Sequence, residues 1–156
     1  MKVKDIMEPL RNWLTPEMTL TEAINVFRAT KRHHGMPVNG LVVLDTRMHL
    51  VGIVSTKDIL RRLIPSHLYL TDRHHHIPLD SVRADKAGEF SCTTVDRVMT
   101  EDVRVITSDE SIFRCADVFL TEQVRRLPVT RSGDGKVAGM VYLRDVYNTL
   151  TELVAG

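Results

Sequence analysis

The sequence predicts a mixed α/β protein made of two similar halves, in each of which a helix, two strands and a second helix follow one another. Three observations carry this prediction. A pattern of glycine, apolar residues and aspartate occurs at Gly52–Ile59 and again at Gly139–Val146. A helix with one apolar stripe precedes each copy, and the two halves begin with similar residues. A chain segment as short as one half buries too little surface to be stable alone, so we expect the halves to share one core.

The first copy of the pattern marks the end of a buried strand and the start of a helix. Val51, Ile53 and Val54 are apolar β-formers. Ser55 is a typical N-cap residue, and Asp58 stands three residues later, where it can complete a capping pair. Free backbone N–H groups at a helix start favour anions. The spacing therefore predicts a helix N-terminus that is also a candidate anion-binding site.

The second copy keeps the glycine and the aspartate but changes a residue between them. Gly139 and Asp145 take the positions of Gly52 and Asp58, whereas Tyr142 replaces the serine. Tyrosine cannot cap a helix as serine does, because its hydroxyl lies too far from the backbone. The two copies therefore predict related but unequal sites.

The first half of the chain is assigned to residues 1–63. Apolar residues of its first helix recur at helical spacing, with polar residues on the other face. Two apolar runs joined by a short polar turn then predict a hairpin. In chain order we expect a short extended or helical lead-in at residues 3–7, a helix introduced by Pro16–Glu17 that ends near His33–Gly35, strands at Leu41–Leu44 and Leu50–Val54, and a helix at Thr56–Leu63.

The second half is assigned to residues 95–156 and repeats this order. Its start, Val95–Met99, resembles Val3–Met7. The Gly-Asp-Gly sequence in Ser132–Gly135 supplies positions for positive φ and predicts a tight turn between two strands. The second half runs through Val103–Ile106, and we then expect in chain order a helix from about Glu110 to Glu122, strands at Leu127–Val129 and Val137–Val141, and a helix from Leu143 to about Leu153.

Residues 64–94 break both patterns and are interpreted as the connection between the halves. A connection of this length is usually a functional or mobile loop. We expect Ser66–Leu70 to extend the preceding helix. The histidines His74–His76 suggest a metal site, but consecutive histidines share no helix face, and no Cys-x-x-Cys or His-x-x-x-His spacing supports them. A flexible polar loop is therefore favoured over a metal site.

The composition is that of an ordinary globular protein and excludes several classes of partner. The 21 lysines and arginines nearly balance the 20 aspartates and glutamates, which leaves a formal charge of +1. No broad basic field attracts nucleic acid or an anionic membrane, and no apolar run approaches the roughly 20 residues of a membrane span. The first ten residues lack the apolar core of a secretory signal. With two cysteines, Cys92 and Cys115, of which Cys115 lies on an apolar helix stripe, we expect a cytoplasmic protein with free thiols.

The two copies of the pattern, each with its similar lead-in, resemble the paired cystathionine-β-synthase (CBS) domain, also called a Bateman module. The resemblance covers nearly the whole chain; its most specific segment is matched fully at Gly52–Asp58 and partly at Gly139–Asp145. It implies two sheets that face each other about a pseudo-two-fold axis, with ligand clefts between them. It also implies a regulatory, energy-sensing homodimer that binds AMP, ADP or ATP, with S-adenosylmethionine or a dinucleotide as less favoured ligands.

The resemblance assigns roles to the residues of both copies. In CBS pairs the hydroxyl residue lies near the ligand phosphates or ribose, and the aspartate accepts hydrogen bonds from the two ribose hydroxyls. These roles fall to Ser55, Thr56 and Asp58 in the first copy and to Tyr142 and Asp145 in the second. For the first copy the alternative is a plain capping pair that stabilises the helix by ~1 kcal/mol. For the second, the tyrosine ring either fills the ribose pocket or stacks beside a base.

Two further segments are expected at the ligand. The first type of segment precedes a strand in each half. In this family its backbone meets the adenine edge and its basic residues approach the phosphates. For the two arginines of the second half, a solvated helix end is an equally good explanation. The other stands before the first helix, where the family commonly has threonine, and its tryptophan is either a lid on the core or an aromatic wall of the base pocket. The residues concerned are Val38, Asn39, Val124, Arg125, Arg126 and Pro128 in the first segment type, and Trp13 and Thr15 in the second.

Two other functional classes compete with a nucleotide sensor. An enzyme is disfavoured because the sequence has no Ser-His-Asp order, no metal-ligand spacing and no P-loop, so we expect neither catalytic residues nor a metal site nor a cofactor. A scaffold module that binds an unidentified protein and no small ligand remains open from the sequence.

Overall fold

The computed structural model of the chain describes residues 1–64 and 78–156, which contain five α-helices and six β-strands. The predicted mixed α/β class and the order helix, strand, strand, helix in each half are confirmed. In chain order the elements are β1 (Glu8–Pro9), α1 (Leu20–Ala29), β2 (Gly40–Leu44), β3 (Leu50–Ser55), α2 (Thr56–Leu63), α3 (Leu79–Cys92), β4 (Ile106–Thr107), α4 (Ile112–Glu122), β5 (Arg126–Thr130), β6 (Val137–Tyr142) and α5 (Leu143–Ala155), with 3-10 turns at Val3–Asp5, His33–Gly35 and Val95–Arg97.

Each half contributes an antiparallel hairpin, β2 with β3 and β5 with β6, and each hairpin is extended by a segment from the other half. Strand β1 of the first half pairs with β6, with Glu8 opposite Met140. In return, Thr100 of the second half pairs with Ile53 of β3, through two backbone hydrogen bonds of 2.9 and 3.0 Å. The two sheets are therefore linked by an exchange of edge segments.

Each half also contributes a buried residue to the hydrophobic core of the other half. Val3 is fully buried in the core of the second half, and Val95 is fully buried in the core of the first. Their N–H groups make equivalent hydrogen bonds, from Val3 to the Glu110 carbonyl at 2.9 Å and from Val95 to the Met18 carbonyl at 2.8 Å. Because each half completes the core of the other, neither is an independent folding unit.

The close approach of the exchanged segments explains the glycine that opens each copy of the repeated pattern. A Cβ atom on Gly139 would overlap the carbonyl oxygen of Glu8 in the neighbouring strand. A Cβ atom on Gly52 would lie 2.6 Å from the Sδ atom of Met99. Any larger residue at either position therefore pushes against the other half.

The first helix is shorter than predicted at both ends. It begins at Leu20, because Thr19 is the N-cap residue and accepts a hydrogen bond from the Glu22 N–H. It ends at Ala29, after which the Thr30 hydroxyl donates to the Val26 carbonyl at 2.6 Å. The predicted end at His33–Gly35 is instead a separate 3-10 turn. A side-chain cap at each end therefore limits the helix to less than its apolar pattern suggests.

The connection is not a simple loop, because its second part forms helix α3. This helix packs on α1, as α5 packs on α4, and it buries Phe90 in the first core. The sequence does not predict this helix, because polar residues are spread along it and leave no apolar stripe at helical spacing. An ion pair of 2.7 Å between Lys86 and Glu89 spans one turn of it. The expectations for Ser66–Leu70 and His74–His76 lie outside the described residues.

The thiol of Cys115 is buried in the second core as expected, and burial raises its pKa to about 11. Cys92 is exposed, and neither cysteine forms a disulfide. In the two described ranges, no helix has the length and apolar character needed to cross a bilayer.

Candidate functional site

The first cleft is an open cavity of about 620 Å³ between the two halves. One wall is the start of α2 with Ser55, Thr56 and Asp58. The opposite wall is the segment 123–128 before and within β5, and Thr100 and its neighbours lie between the two walls. The cleft therefore joins the first copy of the repeated pattern to a basic segment of the second half.

The predicted capping pair is confirmed at the start of α2. The Asp58 N–H donates to Ser55 Oγ at 3.2 Å. In return, Asp58 Oδ2 accepts the Ser55 N–H at 2.8 Å and the Ser55 hydroxyl at 2.9 Å. The other carboxylate oxygen, Oδ1, accepts a hydrogen bond of 2.9 Å from Arg61, whose side chain is 65% exposed. One oxygen of Asp58 is thus committed to the helix start, and the other faces a solvent-exposed partner.

The basic wall of the first cleft carries two neighbouring arginines, Arg125 and Arg126, that form no direct ion pair among the described residues. Burial lowers the pKa of Arg126, and the charge of Arg125 lowers it further, while Tyr142 and Asp58 act in the opposite direction. An anion that entered this cleft would relieve the cost of holding two neighbouring guanidinium groups.

The backbone around both helix starts is held by equivalent hydrogen bonds. The Thr56 N–H donates to the Asn39 carbonyl, and the Leu143 N–H donates to the Arg125 carbonyl, each at 2.9 Å. Val38 and Val124, which precede these carbonyl residues, pack into the first and second cores respectively. The segments before β2 and β5 are therefore positioned against α2 and α5 in the same way.

The second copy of the pattern has a different environment, because Arg32 covers its aspartate. The Arg32 Nη2 atom lies 2.6 Å from Asp145 Oδ2, and its Nε atom lies 2.9 Å from Glu8 Oε2. The guanidinium carbon stands 3.6 Å from the centroid of the Tyr142 ring. The side chains of Arg32 and Glu8 are only 11% and 8% exposed. This cluster of Glu8, Arg32, Tyr142 and Asp145 is called the arginine cluster below.

Two groups of the arginine cluster have shifted pKa values. Burial would raise the pKa of Glu8, but hydrogen bonds from the His33 N–H and from Arg32, with their charges, outweigh it and lower the pKa. Burial raises the pKa of the Tyr142 hydroxyl, and the charge of Glu8 raises it further. Glu8 is therefore a carboxylate and Tyr142 a neutral phenol near neutral pH, which matches the ion pair and the stacked cation.

The arginine cluster divides the second cleft into two unequal spaces. A cavity of about 40 Å³ lies on the side of Glu8 and Thr30. An opening of about 500 Å³ lies on the side of Arg144 and Tyr147. Arg32 and Tyr142 line both spaces, and Asp145 lines neither. The aspartate of the second copy thus lies outside the lining of both spaces, with its side chain 29% exposed.

Most of the residues expected at the ligand come together in these spaces. Trp13 and Thr15 do not line any of the three, and Trp13 is 36% exposed, so its contact with a ligand stays a prediction. The expected residues that line the first cleft are Asn39, Ser55, Thr56, Asp58, Val124, Arg125, Arg126 and Pro128. The larger opening of the second cleft is lined by Asn39, Arg125, Arg126 and Tyr142, and the small cavity by Val38 and Tyr142.

Glu8, Arg32 and Thr100 are site residues that the sequence does not predict. Glu8 and Thr100 lie just after the similar lead-ins, so their position at the clefts follows only from the exchange of edge segments. Arg32 lies in residues 32–37, which have no counterpart between α4 and β5, so an alignment of the halves marks this segment as unusual without revealing its partners. Among the described residues, no group of three or more potential ligating side chains is placed to hold a metal ion.

Comparisons with known proteins agree with this architecture. The sequence model of the CBS domain family matches residues 3–65 and 95–152. An uncharacterized protein of Methanocaldococcus jannaschii is 30% identical over 162 residues, which cover 96% of this chain and 91% of that protein. An uncharacterized 17.7 kDa protein of Acidianus ambivalens is 27% identical over 138 residues, which cover 88% of this chain and 66% of that protein.

The chain also matches a part of a longer protein, and it resembles a solved structure. The chain spans 22% of the length of a CBS domain-containing protein of Arabidopsis thaliana. Among solved structures, that of CBSX2 in complex with AMP has a TM-score of 0.68 and 25% sequence identity, with 97% of each chain covered.

Proposed function

The chain belongs to the CBS domain family, and from that premise we propose that it is a regulatory module that binds an adenosine nucleotide, AMP, ADP or ATP, in its first cleft. The observation that carries the proposal is the pairing, in one open cleft, of a carboxylate suited to ribose with Arg125 and Arg126, which take part in none of the ion pairs among the described residues. The complex of CBSX2 with AMP shows that one protein of similar fold holds such a ligand.

Asp58 is the proposed ribose acceptor. Its Oδ2 is held by Ser55, so the carboxylate has a fixed orientation, while Oδ1 is bonded only at the exposed side to Arg61. A vicinal diol offers two donors, and a carboxylate accepts them through charge-assisted hydrogen bonds. The exposed Arg61 contact is weak enough to be displaced or shared when ribose enters.

Arg125 and Arg126 are the proposed phosphate contacts. They line the cleft opposite Asp58, and Arg126 is held in place because its side chain packs against Gly40, where a Cβ atom would lie 2.8 Å from its Cδ. Guanidinium groups bind phosphate oxygens through paired N–H donors. Since the cleft volume of about 620 Å³ falls within the range of small-molecule sites, it accommodates a nucleotide.

The proposed role is non-catalytic and cytoplasmic. The groups in the cleft are binding groups: a capped carboxylate, backbone carbonyls and arginines. Release of phosphate from ATP on incubation with the purified protein, abolished by Asp58→Asn, would favour an enzyme instead. S-adenosylmethionine and dinucleotides are the alternative ligands, because each carries the same adenosine group.

We also propose a homodimer, as the family resemblance implies. Helices α4 and α5 pack on each other and leave several large apolar side chains exposed, among them Phe113, Leu120 and Leu153 at 66%, 76% and 69%. A second copy of the chain would cover this face. Light scattering on a sizing column should give twice the chain mass for the parent and the chain mass for Phe113→Glu; a monomeric parent would leave the face to a different protein partner.

The test of the proposed function is thermal unfolding with ligands. A ligand that binds only the folded state adds about 2.7 kcal/mol of stability at a hundredfold excess over its Kd. Millimolar AMP, ADP, ATP and S-adenosylmethionine should therefore raise the melting temperature to different extents. Mass spectrometry of nucleotides released on denaturing the purified protein identifies the resident ligand. If none of the four compounds shifts the melting curve, the scaffold alternative is favoured.

A further inference from the structure

The second cleft is occupied by a side chain of the protein itself. Three residues that line the first cleft, Ser55, Asp58 and Thr100, have counterparts in Tyr142, Asp145 and Glu8, because both sets hold the same places at the two helix starts and exchanged edges. All three counterparts contact the Arg32 side chain. The guanidinium group therefore fills the volume that corresponds to the open part of the first cleft.

We propose that Arg32 is the built-in occupant of the second cleft, so that the chain binds one nucleotide rather than two. This inference rests on the proposed nucleotide function of the first cleft. Arg32 presents a planar cation to the Tyr142 ring and N–H donors to Asp145, which are the interactions that a base and ribose hydroxyls would make.

A nucleotide would have to break buried ion pairs to enter. Arg32 is bonded at once to Glu8 and Asp145, one from each half; the side chains of Arg32 and Glu8 are 11% and 8% exposed, and that of Asp145 is 29% exposed. The cavity left behind the guanidinium, at about 40 Å³, is too small for a purine. The larger opening in front of it is lined by arginines and tyrosines, and Asp145 is not among its lining residues.

The segment that carries Arg32 is built to hold it there. The Arg32 N–H donates to the Met36 carbonyl at 2.6 Å, which closes the loop around the 3-10 turn. His34 and Gly35 take positive φ values of 61° and 72°, so the turn is tight. The His33 N–H also donates to Glu8 Oε1 at 2.9 Å, which fixes the carboxylate that receives Arg32.

The second half contains no equivalent segment. Helix α4 ends at Glu122, Gln123 takes a left-handed conformation with φ 54°, and the chain passes at once into Val124 before β5. Gln123 and Val124 line the first cleft, but this connection contains no added segment like residues 32–37 to carry a side chain across it. The presence of residues 32–37 in one half alone accounts for one closed and one open cleft.

The experiment counts bound nucleotides by equilibrium dialysis with radiolabelled AMP at saturating concentration. The parent should bind one AMP per chain, and Asp58→Asn should bind at least tenfold more weakly. The variant Glu8→Thr/Arg32→Ala/Tyr142→Ser gives the second cleft the residues of the first and removes the buried carboxylate together with its partner. It should bind two AMP per chain. Lys31→Ala, which removes an exposed charge from the residue directly before Arg32, is the matched control and should bind one.

Each outcome separates this inference from the proposed function. Two AMP per chain in the parent, or one in both the parent and the triple variant, would overturn the role of Arg32 and leave the first cleft intact as a nucleotide site. No binding by the parent would overturn the proposed function and with it the count of one nucleotide per chain; binding of one AMP by the triple variant would then still support Arg32 as the occupant of the second cleft, and binding of none would refute it. Circular dichroism confirms that each variant is folded.

Discussion

Changing Asp58 to asparagine separates its role in capping from its role in binding. In the ligand-free protein, asparagine keeps an oxygen that can accept the Ser55 N–H now bonded to Oδ2 at 2.8 Å. In the lost ion pair the Arg61 side chain is 65% exposed, so the pair contributes little. The free energy of unfolding should therefore fall by about 1 kcal/mol or less.

Nucleotide affinity should fall much further. A carboxylate that holds two ribose hydroxyls loses charge-assisted hydrogen bonds worth about 1.5 to 3 kcal/mol each when its charge is removed. Because 1.4 kcal/mol corresponds to a factor of ten in Kd, the affinity should decrease at least about tenfold. Calorimetric titration of AMP into the parent and Asp58→Asn measures this loss, and urea unfolding of the ligand-free proteins measures stability.

The chain offers a matched control in Asp145, the aspartate at the same place in the second copy. Asp145→Asn should leave AMP affinity nearly unchanged, because Arg32 already occupies that carboxylate. AMP with a 2′,3′-dideoxyribose should bind the parent as weakly as AMP binds Asp58→Asn. Equal affinity of the parent for AMP and its dideoxy analogue would refute the assignment of Asp58 to the ribose.

Three further predictions concern stability. The pKa of Glu8 is lowered in the folded protein, so the stability that its charge contributes is complete above its ordinary pKa of 4.5 and is lost as the pH falls through the lowered pKa. The free energy of unfolding, measured between pH 3 and pH 6, should therefore depend less on pH in Glu8→Gln than in the parent. Parallel curves for the two proteins would contradict this. Gly139→Ala forces a Cβ atom onto a backbone carbonyl and should cost about 1 to 3 kcal/mol or more in urea unfolding. Gly52→Ala meets only the flexible Met99 side chain and should cost less, so the reverse order would count against the packing argument. Alanine at all of His74–His76 should change stability and AMP affinity by no more than about 0.5 kcal/mol, whereas stoichiometric zinc that survives dialysis only in the parent would establish a metal site.

Elements encoded by local pattern could be predicted from the sequence. The hairpin of β2 and β3 and the bounds of α2 follow from apolar runs, a polar turn and the Ser55–Asp58 capping pair, all within a few residues of one another. Helix α3 escaped prediction because packing on α1 and the burial of Phe90, rather than an apolar stripe, hold it in place. Local pattern thus predicts an element only when the element carries its own stabilising signal.

The first cleft was predictable in part for the same reason, and the second was not. Ser55 and Asp58 stand in one turn, and their spacing points to a site. Arg32 and Asp145 meet across 113 residues of sequence, and nothing in either neighbourhood indicates the other. A single ion pair of this kind decides whether the aspartate of a repeated pattern is open to ligand.

The repeat itself explains why such a pair can distinguish the clefts. Exchange of edge segments places the residue after each lead-in at the cleft of the opposite half, so Thr100 faces the first cleft and Glu8 faces the second. A carboxylate at Glu8, in place of a hydroxyl, creates a second acceptor beside Asp145 and makes the site one for a cation. Residues 32–37 bring that cation from within the chain, and the guanidinium joins both halves through its two ion pairs. On this argument, nucleotide binding to one chain follows a simple one-site curve, and any cooperativity must arise between chains; a Hill coefficient above one in a chain shown to be monomeric would contradict it.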